Sequence, residues 1–254
     1  MRRTTTPARW PALATDTGGG STEVLLPLRT RGSGPPLFCV APATGLAWSF
    51  AALLASLPDR PVYGLQSVAA GECASIADLA ADHVRHIREI QPVGPYHLLG
   101  ASFGGLVAHE TATQLAESGE SVALLALLDS FPVPAAWRDL PPPGEHDAAA
   151  AVLGQAVLGG LDEAQRRLAY DAFVRNSRLA ADWTPRRLTG DVLVVEATDG
   201  KTPDWPGPGS WEPHVDGRID VHRLDCTHDG MLAAGPLARV GAVIPPVGDL
   251  RRAV

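Results

Sequence analysis

The most promising chemistry in this chain lies at Gly100-Ala101-Ser102-Phe103-Gly104-Gly105. A serine hydroxyl is a poor nucleophile unless a base takes its proton as it attacks, so the motif matters for what surrounds it. An apolar run, Tyr96 to Gly100, leads directly into it, and a helical pattern over residues 103–118 follows directly. Glycines on either side permit a sharp strand–turn–helix bend, where side chains would collide with neighbouring backbone. The bend pushes the Ser102 hydroxyl above the sheet, and the N-terminus of the following helix favours developing negative charge. Ser102 is the expected nucleophile.

The base should lie after the last strand, giving the chain order serine, acid, histidine. His228, in Cys226-Thr227-His228-Asp229-Gly230-Met231-Leu232, holds that place. Its rivals are less well placed. His214 precedes the last strand, His222 lies inside it, His109 lies on the helix after the nucleophile, and His97 precedes the bend. Two carboxylates compete for the acid. Asp129 ends the apolar run Leu124 to Leu128, and Asp199 ends the next one. Both fall at the carboxyl edge of a parallel sheet, where ligands collect, and spacing alone does not choose between them. Two backbone N–H groups must hold the oxyanion. Phe103 supplies one, and Ala43, in the loop Ala41-Pro42-Ala43-Thr44-Gly45, is expected to supply the other. Each such donor is worth about 2.7–4 kcal/mol.

These residues need a sheet to position them. Strands are expected at Val24–Arg29, Leu37–Ala41, Pro61–Leu65, Tyr96–Gly100, Val122–Leu128, Asp191–Glu196 and Ile219–Leu224, alternating with helical patterns. That rhythm signals an α/β fold with a mostly parallel central sheet flanked by helices. Helices are expected over about Trp48–Leu57, 75–90, 103–118 and 231–244. His83 and His86, on the 75–90 helix, read as solvated histidines on its polar side. Residues 131–190 interrupt the rhythm with a Pro-rich stretch, Pro141-Pro142-Pro143-Gly144, and helical patterns at 147–158 and 162–181. An insertion of that size over a sheet reads as a lid or binding element.

The 254 residues, 45% hydrophobic and 19% charged, suffice for one domain with a substantial core. A net charge of −7 disfavours nucleic acid and anionic membrane as partners. Cys39, Cys73 and Cys226 are an odd number without metal-ligand spacing, which argues against disulfides or zinc and fits a reducing cytoplasm. No run reaches the roughly 18 apolar residues of a membrane span. Residues 1–22, ending Thr17-Gly18-Gly19-Gly20-Ser21-Thr22, read as a flexible linker, with the folded domain over 23–254.

Together these motifs resemble a type I thioesterase domain, the release domain at the end of nonribosomal peptide synthetases. The resemblance runs from about Leu25 to Ile244. It is carried by Leu26-Pro27-Leu28-Arg29 with Gly32 to Val40, Pro61-Val62-Tyr63-Gly64-Leu65-Gln66, the Ser102 motif, Leu127-Leu128-Asp129-Ser130, and the stretch ending His228-Asp229-Gly230-Met231-Leu232. It implies an α/β-hydrolase fold with a helical lid insertion, residues 131–190, between strands 6 and 7. In that family the triad acid follows strand 6, which favours Asp129 over Asp199. The implied catalytic set is Ser102, Asp129 and His228, with no metal or redox cofactor. The substrate would arrive on the phosphopantetheine arm of an upstream peptidyl carrier domain, and the domain would be a monomer. Two departures stand out. The family's loop usually begins His-Pro-Ala-Gly-Gly where this chain has Ala41-Pro42-Ala43-Thr44-Gly45, and Ala101 occupies a position that is usually bulky.

The expected activity is transfer of a peptidyl group to Ser102, then release by water or by an internal amine or hydroxyl that closes a macrocycle. The alternatives are a stand-alone editing thioesterase or carboxylesterase with the same triad, and a non-catalytic module retaining the fold. Trp137, Val152, Leu153, Val157 and Leu168 would either line an acyl cavity or form the lid's own small core.

Overall fold

The computed structural model describes residues 22–57, 59–68, 73–138 and 161–244. The expected linker, but for Thr22, lies outside them, as do the Pro-rich stretch and the helical pattern at 147–158. Seven strands of the described residues form one sheet: β1 (Leu25–Arg29), β2 (Leu37–Val40), β3 (Val62–Leu65), β4 (Tyr96–Ala101), β5 (Val122–Leu128), β6 (Val192–Asp199) and β7 (Ile219–Thr227). Their order is β1-β3-β2-β4-β5-β6-β7. β1 runs antiparallel to β3, and all other pairs are parallel. Among the described residues the α-helices are α1 (Ile76–Ile90), α2 (Phe103–Glu117), a short α3 (Ala135–Arg138), α4 (Glu163–Asp182) and α5 (Ala234–Val243).

The strand count corrects one expectation. Asp129 follows the fifth described strand and residues 131–190 join the fifth to the sixth, one place earlier than the resemblance implies. The position of Asp129 relative to Ser102 is unaffected, since β5 lies directly beside β4.

Strand residues alternate between two cores, as a period of two requires. Phe38, Val40, Tyr96, Leu98, Leu125, Leu127, Val192 and Val194 face one side, beneath α1 and α2. Leu37, Cys39, Leu99, Ala101, Leu124, Ala126, Leu193 and Val195 face the other, beneath α5 and the segment Trp48–Ala55. The helix expected there is a 3-10 helix, with the Phe50 N–H bonded three residues back to Ala47 O. The central strands β2 and β4 are buried along their whole length, which explains their continuous apolar runs. Burying each Leu, Val or Phe side chain of these strands stabilises the fold by about 1.5–3 kcal/mol.

Local signals set where the helices begin. Ser75 caps α1 by accepting the Asp78 N–H at 3.1 Å. Asp162 and Gln165 form a reciprocal capping box at the start of α4, at 2.8 and 3.0 Å. α1 also supplies a correction. His83 is buried, not solvated, because Leu79 and Ile87, four residues to either side, belong to the core stripe that carries it inward. Burial pushes its imidazole down to about 4, so the ring is neutral.

Candidate active site

The bend after β4 is built by close backbone approach. A Cβ on Gly100 would sit 2.2 Å from the Gly104 carbonyl oxygen, and one on Gly104 would sit 2.4 Å from those of Val40 and Ala41. Only glycine fits at either position. Ser102 between them takes φ +52°, a conformation that costs a residue with a side chain about 1–3 kcal/mol. Its N–H donates to Leu128 O at 2.9 Å, and its carbonyl accepts the Gly105 N–H at 2.9 Å. The hydroxyl is thereby held at the carboxyl edge of β4, beside the end of β5.

Asp129 is the first residue beyond β5, with φ +42° and its N–H donated to Val195 O at 2.8 Å. β7 runs through to Thr227, so His228 leaves the sheet at the same edge. The three side chains form a continuous relay. His228 Nδ1 lies 2.8 Å from Asp129 Oδ2 and Nε2 lies 3.0 Å from Ser102 Oγ. With an ionised carboxylate accepting at Nδ1, that nitrogen carries the proton, and Nε2 is free to accept from the serine.

Asp129 is kept ionised despite being buried. Burial alone would raise its pKa, but hydrogen bonds from His228, Lys201 and the Ala197 N–H outweigh it and hold the carboxyl below the usual range. Oδ1 accepts from Lys201 Nζ at 2.7 Å and Ala197 N at 2.9 Å, leaving Oδ2 for the imidazole. Asp199 has none of this. It is exposed at the far end of β6, and its carboxylate accepts the Thr198 hydroxyl at 3.2 Å.

An elbow serine, a histidine after the last strand and a buried aspartate in one relay can acylate and deacylate a carbonyl substrate. A model of the Thioesterase domain family matches residues 35–244. The chain belongs to the Thioesterase domain family. It is similar to a dimodular nonribosomal peptide synthase of Bacillus subtilis (strain 168), with 35% identity over 259 residues, covering 87% of this chain and 11% of that protein. It is also similar to the malpinin synthetase of Mortierella alpina, with 40% identity over 229 residues, covering 83% and 3%. The chain thus spans only a small part of the length of these relatives. Among solved structures, the NocB thioesterase domain from the nocardicin cluster matches with TM-score 0.67 and 26% identity, covering 87% of this chain and 94% of that one.

In this thioesterase domain the rival histidines are occupied elsewhere. His97 is buried in β4 with its Nδ1 accepting from the Arg60 guanidinium; burial, then the Arg60 charge, pushes it down to about 3. His109 stacks on Trp211 with centroids 4.8 Å apart and is pushed down to about 4 by burial. His222 is exposed on the edge strand, and the His214 carbonyl accepts the Leu188 N–H at 2.9 Å, holding that histidine beside another loop.

The two expected oxyanion donors are backbone N–H groups. Phe103 is the first residue of α2, where helical N–H groups have no partner within the helix. Ala43 lies half-buried in a turn closed by the Gly45 N–H to Pro42 O at 2.8 Å. The contact of Gly104 with the Val40 and Ala41 carbonyls brings that loop against the start of α2.

Three neighbours of the triad were not legible in the sequence. Lys201 is tucked beside Asp129, 4.7 Å from the Phe131 ring centroid and 3.7 Å from Glu196. Trp205 places its ring 5.7 Å from that of His228, and Trp137 of α3 meets Trp205 edge-on at 5.7 Å. A Pro- and Asp-rich loop, 199–208, offers no periodicity from which to infer such contacts. Of the residues expected to line a cavity, Trp137 is therefore next to the site. Leu168 is exposed on α4, and Val152, Leu153 and Val157 lie outside the described residues. Among the described residues no group of three or more histidine, cysteine or acidic side chains is placed to hold a metal, and no helix is long and apolar enough to cross a membrane.

Proposed function

We propose that this thioesterase domain takes a peptidyl group from the phosphopantetheinyl thioester of a carrier domain onto Ser102. It then releases the peptide by hydrolysis or by macrocyclisation. The observation that carries this reading is the unbroken relay from Ser102 Oγ through His228 to Asp129, at 3.0 and 2.8 Å, mounted on a strained turn. Ser102 attacks the thioester carbonyl as Nε2 takes its proton. The oxyanion rests on the Phe103 and Ala43 amides, and the imidazolium, stabilised by Asp129, protonates the departing thiol. In the second step His228 activates water or a nucleophile of the bound chain.

Similarity to a nonribosomal peptide synthase supports a peptidyl substrate delivered by a carrier domain. Trp205 against His228, with Trp137 of α3 edge-on to Trp205, supports an apolar chamber beside the relay. Water and the internal nucleophile compete within such a chamber, and exclusion of solvent favours the ring. Intact-protein mass spectrometry on wild type and Ser102→Ala, after incubation with a peptidyl N-acetylcysteamine thioester, tests the reading. A covalent acyl adduct on wild type alone is expected, with product mass distinguishing free acid from macrocycle. Acylation of Ser102→Ala would move the nucleophile elsewhere.

A further inference from the structure

Asn176 lies in the middle of α4, at a position entirely buried. A buried amide in a helix otherwise packed by alanines and leucines needs partners, and its NH2 finds them on the loops that follow β2 and β3. Its Nδ2 donates to the Ala43 carbonyl at 2.9 Å and to Ser67 Oγ at 3.0 Å. Its Oδ1 accepts from Arg175 Nε at 3.3 Å, while the Arg175 guanidinium also reaches the Ser67 carbonyl. The helix is seated closely here. A Cβ on Gly45 would lie 3.1 Å from the Ala172 side chain, and Ala169, Ala172 and Leu161 pack with Leu46 and Val68.

Both peptide groups flanking Ala43 are consequently tied down. The plane carrying the Ala43 N–H is oriented by its own Pro42 carbonyl, which accepts the Gly45 N–H at 2.8 Å. In a trans peptide the N–H points opposite to the carbonyl, so this bond aims the Ala43 N–H away from the turn. The next plane is held by Asn176, a side chain 133 residues away in sequence. Without it, rotation about Ala43 is limited on one side only.

We propose that Asn176 is a positioning residue for the oxyanion hole, fixing the Ala43 amide from α4 so that seating of this helix and readiness of the hole are coupled. The inference rests on Ala43 as an oxyanion donor. Asn176 touches no reacting atom in this scheme and acts through the loop.

The test uses the whole chain with a peptidyl N-acetylcysteamine thioester and a peptidyl trifluoromethyl ketone, which forms a tetrahedral adduct on the serine. Asn176→Leu removes the amide at similar volume. Asn176→Asp keeps the size and the Ser67 and Arg175 partners but gives up the donor to Ala43, and serves if the leucine variant does not fold. Both should lower kcat about 10–100-fold with KM unchanged, the effect of a displaced rather than deleted donor. Affinity for the trifluoromethyl ketone should fall by the same factor, while affinity for the product acid holds, a split that general loosening of the fold would not produce. Installing lactic acid at position 43 replaces the amide by an ester, which deletes its N–H and leaves Pro42 a weaker acceptor for the Gly45 N–H. Wild-type kcat and ketone affinity in the Asn176 variants, with turnover impaired by the ester, would overturn the positioning role and leave the hole intact. Wild-type turnover with the ester would remove the Ala43 assignment itself, and the coupling with it.

Discussion

Replacing Asp129 by asparagine is the sharpest probe of the triad, because the neighbours of the side chain dictate how the new amide must turn. Asp129 offers two oxygens to three donors: His228 Nδ1–H on Oδ2, and the Ala197 N–H and Lys201 ammonium on Oδ1. Asparagine has one oxygen and one NH2. If its oxygen faces His228, its NH2 points at the Ala197 N–H and at Lys201, leaving a buried backbone donor unpaired at a cost of about 1–3 kcal/mol. With the oxygen facing Ala197 and Lys201, every donor is satisfied, but the NH2 now donates to His228 Nδ1. The imidazole must then carry its proton on Nε2, where it donates to Ser102 Oγ and cannot take a proton from it. The environment therefore selects the inactive tautomer.

Asp129→Asn should fold normally and lose about 10⁴-fold in kcat, the loss such a tautomer trap produces in a serine triad. In transition-state terms that is about 5.4 kcal/mol. Pre-steady-state acylation with the thioester mimic reads the loss directly at the first step. Adding Lys201→Met should not restore activity, because the Ala197 N–H still holds the oxygen. Asp199→Asn, with its carboxylate in solvent, should stay within about threefold of wild type, as surface changes do. More than a tenth of wild-type acylation by Asp129→Asn, or a larger defect from Asp199→Asn, would refute this reasoning.

Two further expectations concern stability. The Asp129 carboxyl has a folded pKa below its unfolded one, so its contribution is present above about 4 and is lost as pH falls through the folded value. Lys201→Met removes one of the groups that lowers it and should destabilise the domain at pH 7 by about 1–3 kcal/mol, less than a fully buried pair because two other donors remain. Urea titrations should show the gap closing below pH 4, and a gap independent of pH would contradict the linkage. Ser102→Gly should relieve the positive φ that Ser102→Ala retains. Its Tm should exceed that of the alanine variant by about 2–4 °C, and equal melting temperatures would mean the elbow stores no strain.

Much of the sheet was readable because its central strands are buried on both faces and so appear as unbroken apolar runs, as in Leu124 to Leu128. The elbow was readable for a different reason: Gly100 and Gly104 are demanded by backbone contacts that no other residue tolerates. Polar residues in the core were not. His83 looked solvated by type, although its spacing of four from Leu79 and Ile87 puts it on the buried stripe. At such a position helical periodicity is a better guide to burial than residue type.

The choice between the two carboxylates shows what one-dimensional spacing lacks. Both aspartates end strands of the same parallel sheet, and both precede His228. The difference is how far each strand projects past its neighbours. β5 stops at Leu128, level with Ala101 of β4 and with Val195 of β6, so Asp129 emerges beside Ser102 and under the end of β7. β6 continues four residues beyond Val195, paired there with β7 alone, and carries Asp199 out opposite Thr227 into solvent. Register is a property of pairs of strands, fixed by packing of both faces at once, and no single strand encodes it. The same holds for Asn176: a helix 133 residues downstream of Ala43 meets it only after the sheet has brought β2 and β3 side by side. The Ser102 turn is local and its sequence announces it; the side chains in relay with it come from the sheet edge, and the one that holds the Ala43 carbonyl comes from α4.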